Sequence, residues 1–171
     1  MKQSLVFLFV SLLAISLINA KTIDVKTDQG PEYAYVYNLS GNKEKAIKRG
    51  ESVTFDSNGP MTSGITHKLG SSDIVLVNEG TYLINFYVSC TNQNSFMLFL
   101  NNTEVQGSGY GGFSQYTFNT AGQAIVKATA GAVLTLRYES KLSLESSYPP
   151  FYIYAAAGAV NASVIIQKID Q

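Results

Sequence analysis

Beyond residue 20 the sequence predicts an all-β protein with a sandwich or jelly-roll architecture. Short apolar runs recur with turn-forming residues between them, and no stretch shows an apolar period of 3.6 residues. The 171 residues are 46% hydrophobic and only 14% charged, with a formal net charge of zero. An average soluble domain is about 25% charged. This composition argues against disorder and against a basic nucleic-acid binder.

The first twenty residues predict a secretory signal peptide. Lys2 supplies a positive start, residues 5–18 are apolar except for two serines, and Ala20 is a small residue suited to cleavage. The alternative is an uncleaved anchor, but the apolar run is shorter than the roughly 20 residues that span a bilayer. We therefore expect a signal peptide at 1–20, a short N-terminal segment at 21–32 and one domain at 33–171. The protein would be secreted or displayed at a cell surface, with no membrane span after cleavage.

Strands and turns alternate through the first part of the expected domain. Residues 33–37 alternate tyrosine with smaller apolar side chains, as a strand does. Residues 56–60 predict a turn, because Asn and Gly accept a positive φ and Pro fixes its own φ. Residues 74–77 are apolar throughout, which favours a strand buried on both faces, and residues 78–80 predict the following turn.

The clearest strand pattern covers residues 81–90. Apolar side chains alternate with more polar ones, and the side chains expected to share a buried face are Tyr82, Ile84, Phe86, Val88 and Cys90. Cys90 is the only cysteine, so no disulfide can form within the chain. Its place on the apolar face predicts a buried and unreactive thiol.

Further strands are expected toward the carboxyl end. A strand at 96–100 should end at an Asn101-Asn102 turn. Residues 123–130 and 132–138 predict two strands around Gly131, and residues 160–169 predict the last strand.

A charge-free segment rich in Gly, Ser, Tyr, Phe and Gln covers residues 106–122. The glycines at 107–112 lack the lysine and the helix that a phosphate-binding loop requires. They predict a flexible or closely packed turn.

Catalytic and metal-binding patterns are weak. His67 is the only histidine, and no sequence pattern pairs it with a carboxylate or a nucleophilic serine, so a structural role is favoured. Asp56, Asn58 and Gly59 resemble the front of a calcium loop, but no glutamate closes it, and a β-turn is the better interpretation. The sequence predicts no catalytic residues, no metal ligands, no cofactor and no enzyme activity.

Two other patterns have simple interpretations. Lys43, Lys45, Lys48 and Arg49 interleave with acidic residues and predict a solvated edge hairpin. Three triplets match the N-glycosylation pattern, with their asparagines at Asn38, Asn101 and Asn161. They matter only in a host that glycosylates secreted proteins.

A series of motifs resembles one known family. The motifs are Tyr33-Ala34-Tyr35-Val36-Tyr37-Asn38-Leu39, Val53-Thr54-Phe55-Asp56-Ser57-Asn58-Gly59-Pro60, Gly64-Ile65-Thr66-His67, Ser72-Asp73-Ile74-Val75-Leu76, Gly80-Thr81-Tyr82, Phe99-Leu100-Asn101, Ala130-Gly131-Ala132-Val133-Leu134-Thr135-Leu136-Arg137 and Val160-Asn161-Ala162-Ser163-Val164. Together, over residues 33–169, they resemble the C-terminal domain of the BclA-type exosporium glycoproteins. That domain belongs to the tumour necrosis factor/complement C1q-like jelly rolls.

The resemblance implies a jelly-roll β-sandwich, a tight homotrimer and no catalysis, in a surface protein that can attach to host molecules. The chain departs from the family by having no collagen-like Gly-X-Y stalk, a secretory signal, and an apolar loop at 147–155. Exposed, such a loop would mark an interface; the alternative is packing within the trimer or against its own sheet.

Two function classes follow from these features. The first is a trimeric head for structural assembly, adhesion or multivalent binding, with a host or surface protein or a glycan as possible partner and no nucleic acid. The second is a lectin-like or small-ligand-binding jelly roll. Candidate interface or ligand contacts are Tyr110, Phe113, Tyr116, Phe118, Tyr148, Phe151, Tyr152 and Tyr154.

Charge is distributed unevenly along the chain. Residues 21–60 hold many charges of both signs, whereas residues 80–136 hold only Glu104 and Lys127, and residues 146–167 hold none. Cores of homo-oligomer interfaces are likewise poor in charge. We therefore expect residues 80–136 and 146–167 to form one side of the jelly roll, where subunits meet.

Overall fold

Two antiparallel β-sheets pack face to face in the computed structural model, which describes residues 30–39, 45–90, 94–112, 118–139, 151–154, 156 and 158–170. The strands in chain order are β1 (Tyr33–Asn38), β2 (Lys45–Ile47), β3 (Ser57–Met61), β4 (Ile65–His67), β5 (Ile74–Leu76), β6 (Gly80–Cys90), β7 (Asn94–Leu100), β8 (Thr103–Glu104), β9 (Tyr110–Gly112), β10 (Phe118–Ala128), β11 (Ala132–Tyr138), β12 (Phe151–Ile153) and β13 (Ala162–Lys168). The described ranges contain no helix, and therefore no helix that could cross a membrane. The all-β prediction is confirmed.

Sheet A has seven strands in the order β2-β12-β6-β13-β1-β3, with β10 also paired to β6. Sheet B has six strands in the order β4-β5-β11-β7-β8, with β9 also paired to β7. β10 pairs with β6 along its whole length, whereas β13 and β12 pair with different parts of β6. Because a strand has only two edges, β12 and β13 must lie end to end along the edge opposite β10.

β6 is the long central strand of sheet A, and its side chains alternate as the sequence predicts. Tyr82, Ile84, Phe86, Val88 and Cys90 are all buried. They face sheet B, whose inward side chains include Ile74, Leu76, Phe96, Leu98, Leu134 and Leu136. Each such apolar side chain contributes about 1.5–3 kcal/mol when it is removed from water, so this layer supplies most of the stabilisation of the sandwich.

Two sharp turns occur where the sequence predicts them. Asn101 and Asn102 have φ values of 49° and 64° and join β7 to β8 through a two-residue hairpin. Positive φ at both central positions is the geometry that matches the twist of paired strands, and Asn tolerates it. Gly131, with φ of 76°, separates β10 from β11.

The predicted turn at residues 56–60 is wrong, because residues 57–60 belong to the edge strand β3. β3 pairs with β1 across an irregularity in register. Gly59 is required by packing, since a methyl group there would lie 2.6 Å from Cδ1 of Tyr35. Pro60 is tolerated because an edge strand has one side without pairing. Asp56 precedes β3, and its Oδ1 accepts the Leu39 N–H at 3.0 Å.

The glycine segment at 107–112 is only partly a turn. Gly107 has a φ of 80°, as in a turn, but Tyr110–Gly112 forms β9. A side chain on Gly111 would overlap the backbone of Asn94, so close strand packing explains this glycine.

The basic segment lies at an edge of the sheet, as expected. Lys45–Ile47 forms β2, which ends sheet A beside β12 rather than pairing with a strand adjacent in sequence. Lys43 lies outside the described residues.

Candidate functional site

Five of the eight predicted contact residues lie in described segments. Phe113, Tyr116 and Tyr148 lie outside the described residues, as does most of the apolar loop at 147–155. Phe118 and Phe151 have described backbone in β10 and β12 but no described side chain. Tyr110, Tyr152 and Tyr154 have described side chains.

The structure brings the backbone of these residues to one end of the sandwich. Phe118 and Ile153 both pair with Cys90, the last residue of β6, and the Tyr154 N–H donates to the Ser89 carbonyl at 3.0 Å. On sheet B, Tyr110 pairs with Phe96. We call this end the apex and the opposite end, near Gly80, the base.

Tyr110 is the best-defined aromatic at the apex. Its ring meets Phe86 edge to face, with centroids 6.0 Å apart and planes at 78°. Gly122 lies beneath both rings, because a side chain there would overlap Phe86 and Tyr110. Tyr110 and Tyr154 are both exposed in part. The apex therefore presents aromatic side chains, one of which is held in a fixed orientation.

The apex also contains neutral polar groups. The buried Thr120 hydroxyl donates to Oδ1 of the buried Asn94 and so joins β10 to β7. Cys90 is buried, and burial raises the pKa of its thiol to about 12. The prediction of a buried Cys90 is confirmed, and a thiol with that pKa carries no nucleophilic thiolate near neutral pH.

The base contains a buried carboxylate. Oε1 of Glu32 accepts hydrogen bonds from Nδ2 of Asn78 at 3.1 Å and from Nζ of Lys168 at 3.2 Å. Nearby, the Tyr82 hydroxyl donates to the Asn78 carbonyl at 2.8 Å. Burial and the adjacent Glu32 charge raise the pKa of Tyr82 to about 12. Asp170, just beyond β13, accepts the Thr81 N–H at 2.7 Å. This network joins both ends of the domain to the start of β6.

Both ring nitrogens of His67 lie within hydrogen-bond distance of neighbouring groups, as in a histidine with a structural role. Its Nδ1 lies 2.6 Å from Oδ1 of Asn58, and its Nε2 lies 3.1 Å from the Ser71 carbonyl. The imidazole therefore links β4 to β3 and to the turn that follows β4. Within the described ranges no three His, Cys, Asp or Glu side chains are placed to hold a metal ion.

A second candidate surface is the outward side of sheet A, which we call the assembly face. Register places thirteen side chains of β1, β13, β6 and β10 on it: Tyr33, Tyr35, Tyr37, Ser163, Ile165, Gln167, Leu83, Asn85, Tyr87, Asn119, Ala121, Gln123 and Ile125. None of these thirteen is charged, but the same register also places the exposed Lys127 on this face, at its corner opposite Thr81. Ile125 is 64% exposed and Ile165 is 50% exposed, and the rings of Tyr35 and Tyr37 stack with centroids 4.9 Å apart. A broad face with a single charge at its corner and well-exposed apolar groups is typical of an interaction surface.

The outward side of sheet B is different. The Arg137 guanidinium lies 4.3 Å from the centre of the Phe99 ring and also donates to Oγ1 of Thr135 and Oδ1 of Asn102. This arginine covers the aromatic ring that the sheet would otherwise expose.

The charge distribution along the chain predicts the assembly face only in part. Residues 80–136 do not form one side of the jelly roll, because β7, β8, β9 and β11 belong to sheet B while β6 and β10 belong to sheet A. The tyrosines of β1 were missed because residues 33–37 lie in the charged part of the sequence. Their alternation with Ala34 and Val36 was the signal that could have identified them, since it places all three on one side of a strand.

No protein-family model matches the chain, and no curated protein sequence matches it. Among solved structures, the globular domain of zebrafish complement 1qA protein has a TM-score of 0.62 and 12% identity, and the match covers 83% of this chain and 99% of that one. The structure of Eiger TNF from S. frugiperda has a TM-score of 0.60 and 11% identity, covering 82% of this chain and 94% of that one. These likenesses show the fold: the chain is an all-β jelly roll similar to C1q and TNF domains.

Proposed function

We propose that the protein is a secreted or surface-exposed, non-catalytic head that assembles as a homotrimer and serves structural assembly, adhesion or multivalent binding. The assembly face is the observation that carries this proposal. A face with thirteen uncharged side chains, one lysine at its corner and two well-exposed isoleucines has the composition of the core of a subunit interface. A second copy of the chain would remove Ile125 and Ile165 from water, while Lys127 at the corner of the face could stay in contact with solvent.

The motif series supports the same proposal. It resembles the BclA-type heads, and that resemblance implies a homotrimer without catalysis. The jelly-roll fold shared with complement 1qA and TNF domains is consistent with such an assembly. Three copies of a weak site held at a fixed spacing would gain affinity through avidity.

The position of the two ends of the domain indicates how the head would be oriented. The chain enters β1 beside Glu32 and leaves β13 beside Asp170, and both residues belong to the network at the base. β6 has 11 residues, so the apex lies roughly 35 Å away at about 3.3 Å per residue. Attachment through residues that precede Glu32 would leave the aromatic apex facing outward.

Secretion follows from the signal peptide proposed at residues 1–20. N-terminal sequencing of protein from the culture medium should give Lys21 as the first residue. Protein that stays in the cell with Met1 attached would contradict the proposed signal.

Light scattering on the protein that starts at Lys21 tests the assembly. The expected mass is three times that of one chain. Ile165→Glu places a carboxylate at the centre of the assembly face and should reduce the mass to that of a single chain. Leu69→Glu is the matched control, because Leu69 is 60% exposed but lies in the turn that follows β4 of sheet B. A monomeric unsubstituted protein at micromolar concentration, or dissociation of both variants, would overturn the proposal.

A lectin-like or small-ligand-binding role is the second candidate, favoured by the exposed aromatics of the apex. Tyrosine suits such a site because its ring packs on a ligand while its hydroxyl forms hydrogen bonds. The candidate platforms are Tyr110, Tyr116, Tyr148, Tyr152 and Tyr154. Binding of the trimer to a glycan array that is lost in a Tyr152→Ala, Tyr154→Ala double variant with unchanged mass would support this role. Dissociation of that variant with no glycan bound would favour the structural role.

A further inference from the structure

The three N-glycosylation triplets have very different positions in the fold. Asn161 is 0% exposed and Asn38 is 8% exposed. The Asn161 N–H also donates to the Asn38 carbonyl at 3.1 Å, so these two residues lie side by side where β1 ends and β13 begins. A sugar on either buried amide would have to displace the surrounding strands, so neither position can carry a glycan in the folded domain.

Asn101 differs from the other two asparagines in its exposure and in its place in a turn. It is exposed, as is Thr103, the hydroxyl residue of its triplet. It occupies the first central position of the two-residue hairpin between β7 and β8, with a φ of 49°. Its Oδ1 accepts the Val133 N–H at 2.8 Å. This bond orients the amide and leaves both hydrogens of Nδ2 on the other side of the amide carbon, in an exposed turn.

The location of this turn is compatible with the proposed assembly. Asn101 and Asn102 connect two strands of sheet B, and Oδ1 of Asn102 accepts a hydrogen bond from Arg137 on the outward side of that sheet. None of these residues belongs to the assembly face. A bulky group on Asn101 would therefore leave the trimer contact open.

We infer that Asn101 is the acceptor of an N-linked glycan. In the reaction, Nδ2 attacks the anomeric carbon of a polyprenyl-pyrophosphate-linked oligosaccharide. A C–N bond forms, the bond between that carbon and the pyrophosphate oxygen breaks, the polyprenyl pyrophosphate leaves with the bonding electrons, and Nδ2 loses one proton. The inference rests on the proposed secretion, since the donor and its transferase are found in secretory membranes.

The turn explains why position 101 is an asparagine, but it does not require a threonine at 103. Thr103 therefore offers a clean pair of variants. Thr103→Ser keeps the glycosylation triplet, whereas Thr103→Val removes it and keeps a β-branched residue in β8. Ser163→Ala removes the triplet of Asn161 without altering the buried asparagine and serves as the control for site choice.

The experiment is expression of the full chain in yeast, with peptide mass spectrometry before and after treatment with a glycan-releasing amidase. We expect one glycan per chain on Asn101, retained in Thr103→Ser and Ser163→Ala and lost in Thr103→Val. Unmodified Asn101 in both medium and cell fractions, or a glycan on Asn38 or Asn161 in folded protein, would overturn the inference. Light scattering of the same samples reports the trimer separately, so an unmodified trimer contradicts this inference alone.

Discussion

The base and the apex of the sandwich are stabilised by different chemistry. At the base, the buried carboxylate of Glu32 binds Lys168 and Asn78. At the apex, the buried polar contact joins two neutral side chains, Asn94 and Thr120. At the base, charged hydrogen bonds hold the two ends of the domain together. At the apex, which would face a ligand, neutral side chains pack closely and form the buried hydrogen bond. Changes that affect a charge should therefore act at the base, and changes that affect a neutral hydrogen bond should act locally at the apex.

The largest effect is expected from Gly64→Ala, which would break the base. The added methyl group would overlap Oε2 of Glu32, whose carboxylate is already bound by Lys168 and Asn78. Displacing one partner of a buried ion pair should lower the free energy of unfolding by about 3 kcal/mol, measured by denaturant titration. Gly30→Ala is the control, since nothing lies within 4 Å of the methyl group there. Equal unfolding midpoints for the two variants would show that the hydrogen-bond network at the base does not contribute to stability.

A smaller effect is expected at the apex from Thr120→Val. The substitution keeps the volume of the side chain and removes the hydroxyl that donates to the buried Asn94. Loss of a buried hydrogen-bond donor should cost about 1–2 kcal/mol in the same titration. Thr103→Val, on the exposed strand β8, should change stability by less than about 0.5 kcal/mol. Equal losses in the two valine variants would contradict a specific role for the apex contact.

Alkaline titration separates the two ends. The pKa of Tyr82 is raised from 10.0 to about 12 by burial and by Glu32, and that of Cys90 from 9.0 to about 12 by burial. Since the folded state favours the neutral forms, their contribution to stability is complete below pH 9 and is lost as the pH rises to 12. The urea concentration at the unfolding midpoint should fall less steeply between pH 8 and 12 in two variants. Tyr82→Phe removes the titrating group at the base of the sandwich, and Cys90→Ala removes the one at the apex. Parallel curves for all three proteins would contradict this assignment.

The smallest effect is expected from Asp170→Asn. The Thr81 N–H holds the pKa of the Asp170 carboxyl below its usual 3.8. The stability from this contact is present above pH 3.8 and is lost as the pH falls through the lowered pKa. Asparagine keeps an acceptor oxygen, so the unfolding midpoint at pH 7 should be nearly unchanged, while the fall in midpoint below pH 4 should become shallower. A large loss at pH 7 would show that the charge itself secures the end of the chain.

Local periodicity predicts the long strands well. The alternation at residues 81–90 identifies the buried side of β6, and the asparagine pair and Gly131 identify two turns from their tolerance of positive φ. These features depend on neighbours close in sequence, which a sequence pattern records directly.

The failures involve partners distant in sequence. Residues 57–60 resemble a turn but form β3, because pairing with β1 and the close approach of Tyr35 to Gly59 override local preference. A glutamate just before the first strand of the expected domain would be assigned to solvent from the sequence. Glu32 is instead buried, because Lys168 and Asn78, which are distant in sequence, form hydrogen bonds with its carboxylate. The assembly face combines strands from both ends of the chain, so no single segment reveals it.

The pairing of β1 with β13 also determines when the domain can fold during synthesis. Glu32 and Lys168 meet across 136 positions of sequence, and β1 pairs along its whole length with β13. Topologies rich in such distant pairings fold in milliseconds to seconds, far more slowly than helical bundles. As the chain emerges, one edge of β1 and the edge of β6 that pairs with β13 stay open until β13 is made, and unpaired strand edges promote aggregation. The domain can therefore be completed only after β13 has been made, and a chain shortened before β13 should remain aggregation-prone.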